Sequence, residues 1–267
     1  MQRETYFHFT KDAVFCTTLR RNKDLCMRLI EIILGIKVHD IEYIDSQKTI
    51  DHDLDSKGIR LDVYVEDDEH SVYDLEMQTS VERELPKRSR YYQSMIDMGL
   101  IEKGSLYEDL RKSYVAFICT DDPFNRGLSV YRFVKRCNED SGLILGDETE
   151  TVFLNAKGTK QGIDEELARF LDYLITHNPT SDFTLRLEEQ VRELNKDTEW
   201  RRNQMTVGME MKVLERHAKA EGKAEGIAEG MRQTVLNYAR DGIITPEKAA
   251  SDLGMSVEEL KKLISET

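Results

Sequence analysis

The stretch Arg60-Leu61-Asp62-Val63-Tyr64-Val65, the polar link Glu66-Asp67-Asp68-Glu69-His70-Ser71, and then Tyr73-Asp74-Leu75-Glu76-Met77-Gln78 decide how the chain is read. Each flanking half alternates apolar and polar residues, the period of a β-strand with one face buried. The short acidic link makes the pair a hairpin. Leu61, Val63 and Val65 are expected on one face of the first strand, with Asp62 on the other. On the second, Tyr73, Leu75 and Met77 share one face, and Asp74, Glu76 and Gln78 share the opposite one. With the apolar faces aligned, Asp62 and Glu76 project from the same side of neighbouring strands. Two converging carboxylates, with an amide two residues beyond, suit a hard divalent cation that prefers oxygen ligands. Alternatively, the acids are the ordinary solvated face of a half-exposed hairpin.

The chain has 267 residues and 39% hydrophobic content, enough for one sizeable core plus an appendage. A formal net charge of −13 argues against non-specific wrapping of DNA, so any nucleic-acid contact needs a local basic patch. The start, Met1-Gln2-Arg3-Glu4-Thr5, lacks the apolar run of a signal peptide, and no stretch is long enough to cross a bilayer. A cytoplasmic protein without a membrane partner is expected. Cys16, Cys26, Cys119 and Cys137 show no CxxC spacing, which points to structural thiols in a reducing compartment. The histidines are scattered and none is assigned to a site. There is no GxxxxGK[ST] phosphate loop, so no nucleotide cofactor is expected.

Residues 11–19 and 24–34 read as helices, the second with Leu25, Leu29, Ile32 and Ile33 on one stripe, Asn22 or Asp24 as cap and Gly35 as stop. Glu31 within that apolar run either reaches the rim or is paired, a metal being one such partner. Strands are predicted over 38–44, 59–65 and 72–78, with the acidic loop Asp51-His52-Asp53-Leu54-Asp55 read as solvated. Pro86 opens a helix whose core face is expected to be Tyr91, Met95 and Met98, with Arg83, Lys87, Arg90 and Ser94 opposite. The nearly continuous apolar run 113–120 predicts a strand covered on both faces. A further strand, 151–155, and a helix, 165–176, complete an α/β fold with helices flanking a central mixed sheet.

After Pro179 the chain becomes helical and highly charged, with Ala-Glu-Gly repeated at period four around Gly222, Gly226 and Gly230. Each glycine costs a helix about 1 kcal/mol against alanine, so the segment is either a flexible helical linker or a close helix–helix contact. Short helices are predicted over 234–240, 246–253 and 257–264, the last two resembling a helix-turn-helix. Glu258 and Glu259 stand where a groove reader would want neutral or basic residues, which favours packing or homo-oligomerisation through these helices.

Leu61-Asp62, Leu75-Glu76-Met77-Gln78, Arg90-Tyr91-Tyr92 and Met95, preceded by Lys11-Asp12 and Phe15, together resemble the PD-(D/E)xK nuclease superfamily. More narrowly, with the Ala-Glu-Gly-Lys repeat and Met255-Ser256-Val257-Glu258-Glu259-Leu260, they resemble its bacterial branch of recombination-promoting nucleases and transposases. The resemblance implies a restriction-endonuclease-like core with a helical C-terminal extension. It divides the chain into a nuclease-like domain at 1–180, a charged helical linker at 181–232 and a small helical tail at 233–267. It further implies a DNA endonuclease using Mg2+, with Mn2+ as a substitute, held by Asp62, Glu76 and the backbone carbonyl of Met77. Gln78 stands where the superfamily usually has lysine. An amide carries no charge and transfers no proton, so it is left to orient water or lend an oxygen. The missing positive charge is expected from Lys87 or Arg90, which would bind phosphate. The alternative is a catalytically degenerate nuclease fold that binds nucleic acid or protein.

Overall fold

The computed structural model describes residues 6–44, 61–101 and 104–266. The acidic loop at 51–55 and the predicted strand start at 59–60 lie outside the described residues. Helices α1 (Asp12–Arg21) and α2 (Lys23–Leu34) bury the stripes their spacing predicts, Val14, Phe15 and Leu19 on the first and Leu25, Leu29, Ile30 and Ile33 on the second. Gly35 ends α2 in the left-handed region at φ 72°, where a side chain would be strained. The Asn22 amide donates to the Thr18 carbonyl at 2.8 Å, so it closes α1 and does not cap α2.

After the short strand β1 (Ile41–Tyr43), strands β2 (Val63–Asp67) and β3 (Val72–Gln78) form the predicted hairpin, with Val63 opposite Leu75 and Val65 opposite Tyr73. Its acidic turn is built around Asp67, whose Oδ1 accepts the N–H groups of Glu69 and Ser71 at 3.0 and 2.7 Å. The chain continues through α3 (Leu85–Leu100), β4 (Ser113–Cys119), β5 (Val130–Phe133), β6 (Thr149–Asn155), α4 (Glu165–Thr176) and α5 (Asp182–Lys196). The sheet order is β1-β2-β3-β4-β6-β5, parallel at β3–β4 and β4–β6 and antiparallel elsewhere. Strand β5 escaped the sequence pattern because four residues on a sheet edge are too few to show a period.

One face of the sheet, carrying Val63, Val65, Tyr73, Leu75, Met77, Ala116 and Ile118, packs on α1, α2, α4 and α5. The other, carrying Tyr64, Val72, Val115, Phe117 and Phe153, packs beneath Leu85, Tyr92, Met95 and Ile96 of α3. All seven residues of β3 are buried, so the face bearing Asp74, Glu76 and Gln78 is not solvated. Two sequence expectations change. Leu61 packs with Tyr64 on the α3 side, because the chain leaves strand geometry at Asp62 and the alternation stops there. On α3, Tyr92 and Met95 face the core, whereas Tyr91 and Met98 are 36% and 49% exposed.

The chain divides into two compact units after Arg201. Helix α5 belongs to the first: Phe183, Leu187, Val191 and Leu194 join its main core, so the linker expected from residue 181 does not begin there. Helix α6 (Thr198–Arg240) is continuous through the Ala-Glu-Gly repeats and absorbs the short helix expected at 234–240. A Cβ added at Gly222, Gly226 or Gly230 would meet nothing within 4 Å, so these glycines mark no close helix contact among the described residues. In the second unit α7 (Pro246–Leu253) and α8 (Val257–Glu266) enclose Ala249, Ala250 and Leu260, with Gly254 turning between them at φ 66°. No described helix is long and apolar enough to cross a membrane.

Phe170 is fully buried against Phe9 and Phe183, whereas Leu185 is 55% exposed. Phe170→Ala should destabilise the first unit by about 3–5 kcal/mol and Leu185→Ala by no more than about 0.5 kcal/mol. Urea unfolding followed by the fluorescence of Trp200, the single tryptophan, which packs against this core, measures both.

Candidate active site

The pairing of β2 with β3 ends at Val63 and Leu75. One position further, side chains take over from the ladder. The Asp62 N–H donates to Glu76 Oε1 at 2.9 Å, and the Met77 N–H donates to Asp62 Oδ2 at 3.1 Å. In a strand the N–H and C=O of one residue point to the same edge, so the Met77 carbonyl also faces the edge that Asp62 occupies. Helix α1 adds Asp12 and Cys16, one turn apart. Ligand atoms of Asp12, Cys16 and Asp62 all lie within 4.8 Å of one another. Asp12 is exposed, Asp62 partly buried and Cys16 buried, so the cluster reaches solvent at Asp12. The Cys16 thiol donates to Asp12 Oδ1 at 3.5 Å, and burial together with the charges of Asp62 and Asp12 pushes its pKa up.

Glu76 is 1% exposed, and both its oxygens are engaged. Oε2 accepts from Arg88 Nη2 of α3 at 2.6 Å. The same guanidinium donates through Nη1 to Gln78 Oε1 at 3.2 Å and through Nε to the Tyr92 hydroxyl at 2.8 Å. It lies over the rings of Tyr92 and Phe117, 4.9 and 5.5 Å from their centroids. The Gln78 amide donates to the carbonyl and the hydroxyl of Ser80, both at 2.9 Å, so both ends of this side chain are committed. Lys87 and Arg90 are exposed on α3, and no contact among the described residues joins either to Glu76 or Gln78. Glu31 stands elsewhere, on α2, paired with Arg28 at 2.8 Å and Lys37 at 3.6 Å and accepting the Val38 N–H; no contact among the described residues joins it to the cluster.

The electrostatics follow from burial. Desolvation pushes the Asp62 carboxyl up to about 8, reinforced by the charges of Glu76 and Asp12 and opposed by the Met77 N–H. Desolvation raises Glu76 to about 7, against the pull of the Asp62 N–H and Arg88. Asp74 is fully buried beside them. Its oxygens accept from no donor among the described residues, and burial plus the charges of Glu76 and Asp62 raise it well above the usual carboxylate range. The site therefore holds more acid than its own cations neutralise. The donors present, carboxylates of Asp12 and Asp62, the Met77 carbonyl edge and Glu76 adjacent, fit a hard divalent cation. Asp62 and Glu76 do meet, but through crossed backbone hydrogen bonds, and the carboxylate grouped with Asp62 is that of Asp12.

A mixed sheet flanked by helices, with acids gathered where a hairpin opens, is the architecture of the restriction-endonuclease-like nucleases, a class that generally uses divalent metals. The family model described as PD-(D/E)XK nuclease family transposase matches residues 7–221, and the chain belongs to that family. No curated protein and no solved structure matches it.

The sequence pattern does not mark Asp12, Cys16 or Arg88 as site residues. The i, i+4 spacing of Asp12 and Cys16 places them on one helix face, but nothing local says that Asp62 meets that face. Arg88 escapes the pattern because the buried stripe of α3 runs through Tyr92 and not through Tyr91.

Raised carboxyl pKa values have a definite sign in folding. For Asp62 and Glu76, the contribution is fully present below the ordinary values of 3.8 and 4.5 and is lost as pH rises through about 7 to 8. In chelator, the urea midpoint should fall between pH 5 and pH 8.5, and Mn2+ at the upper pH should restore it. Asp62→Asn should shrink both effects; a midpoint that climbs across this window would contradict the assignment.

Proposed function

We propose that the chain is a DNA endonuclease dependent on a divalent cation, Mg2+ with Mn2+ as substitute, that hydrolyses phosphodiester bonds in the cytoplasm. The observation that supports it most is the grouping of Asp12 and Asp62 on one side of a hairpin mouth where Asp62 and the Met77 edge meet a buried Glu76. Asp12, Asp62, Glu76 and the Met77 carbonyl would hold the cation. When bound, such an ion supplies Lewis acidity at the scissile phosphate and lowers the pKa of a water, so no serine or histidine nucleophile is required. Gln78 is then a positioning residue whose amide oxygen steadies Arg88. Exposed Lys87 and Arg90 bind flanking phosphates as point charges, and the C-terminal helices carry self-association.

A binding module on a degenerate nuclease fold is the competing proposal. It is favoured by Arg88 already neutralising Glu76 and by the amide at residue 78.

Nicking of supercoiled plasmid in Mg2+ or Mn2+ decides between them. Asp62→Ala and Glu76→Ala should each lower the rate by about 100-fold or more, the scale of losing one transition-state electrostatic contact. Calorimetric titration with Mn2+ should show site-specific binding in the wild type and none in Asp62→Ala. Cleavage unaffected by Glu76→Ala would remove the assignment. For DNA binding, Lys87→Ala and Arg90→Ala should each reduce the slope of log affinity against log salt by about 1, measured by fluorescence anisotropy at several salt concentrations. Truncation at about residue 205 should abolish self-association, read by analytical ultracentrifugation, and leave cleavage in place.

A further inference from the structure

We infer that Arg88 is the catalytic cation of this centre, latched on Glu76 until a divalent cation claims that carboxylate, and then turned to the scissile phosphate. This rests on the nuclease function proposed above. Glu76 has no spare oxygen: Oε1 takes the Asp62 N–H and Oε2 takes Arg88. A cation entering beside Asp62 and the Met77 edge must compete with the guanidinium for Oε2. Arginine remains charged at any working pH, so it cannot yield by losing a proton and yields only by moving.

Its surroundings permit that movement. The side chain is 30% exposed, its contacts to Gln78 Oε1 and Glu82 are long at 3.2 and 3.5 Å, and it rests on the rings of Tyr92 and Phe117. The 2.8 Å bond from Nε to the Tyr92 hydroxyl anchors the stem side of the guanidinium, and the flat ring faces let its Nη ends swing about that anchor while the stem stays packed. Once released, its fork matches two phosphate oxygens, a geometry that an ammonium does not reproduce. In the reaction the oxygen of water bonds to phosphorus and the bond to the leaving sugar oxygen breaks. Water gives up one proton to solvent and the leaving oxygen gains one. Arg88 exchanges no proton and stabilises the charge that builds on the phosphoryl oxygens.

The latch and the catalytic role predict opposite signs for two measurements on the full chain. Arg88→Gln should bind Mn2+ several-fold more tightly by calorimetry, because Glu76 is released, and should nick plasmid about 100-fold more slowly. A merely structural arginine would weaken both. Arg88→Lys keeps a charge but loses the fork, and should show the same two signs with smaller size. It also serves as the informative variant if Trp200 fluorescence shows Arg88→Gln unfolded. Adding Gln78→Lys to Arg88→Gln should recover cleavage at least about tenfold, since residue 78 lies within hydrogen-bond reach of the place Arg88 vacates. If the wild type binds Mn2+ and cuts DNA while Arg88→Gln binds no more tightly or cuts as fast, the inference fails alone. If the wild type neither binds nor cuts, the nuclease function fails and takes it along.

Discussion

Two hydrogen bonds, Asp62 N–H to Glu76 and Met77 N–H to Asp62, continue the β2–β3 pairing past the point where the strands part. In an ordinary antiparallel ladder those positions would exchange backbone groups. Here carboxylates accept the N–H groups, and the crossing holds an acid from each segment within one residue of the other. It also keeps the Met77 edge from being closed by a neighbouring strand. The cluster with Asp12 and Cys16 and the contact between Arg88 and Glu76 are arranged around this crossing.

Its cost is burial of charge. Helix α3 lies across the face of β3 that carries Asp74, Glu76 and Gln78 and seals it with Tyr92, Met95 and Ile96. Unpaired carboxylates in such a place are unfavourable by several kcal/mol each, so they retain protons or find a cation. Arg88 answers for Glu76. Asp74 accepts from no donor among the described residues, and the pull of Arg88 on it is outweighed by burial and by the charges of Glu76 and Asp62. Such under-neutralisation is common where an external cation completes a site.

The hairpin, its boundaries at 72–78, the helix at 165–176 and the two-sided burial of β4 were legible because each is a local period. The contacts of Asp62 with Glu76 and Met77 are made where that alternation has already stopped, so the period does not account for them. The part played by α5 was hidden by its charged surface, although Phe183, Leu187, Val191 and Leu194 recur at helical spacing and join the main core. The phase of α3 was hidden because Tyr91 and Tyr92 offer equally apolar stripes to a reader of sequence, and only packing on Phe117 separates them. A one-residue error in a helix rotates the face by about 100°, which exchanges Arg88 for Lys87.

By itself the sequence determined the α/β class, the hairpin, its two acids and the amide at residue 78, since strand and helix periods follow from backbone geometry alone. Tertiary structure decided which cation meets Glu76, that α1 brings Asp12 and Cys16 to Asp62, and that the acidic face is sealed from water. Those outcomes depend on which distant helix covers which face. Such packing is set by the summed burial of many side chains and leaves no local trace at the residues it brings together.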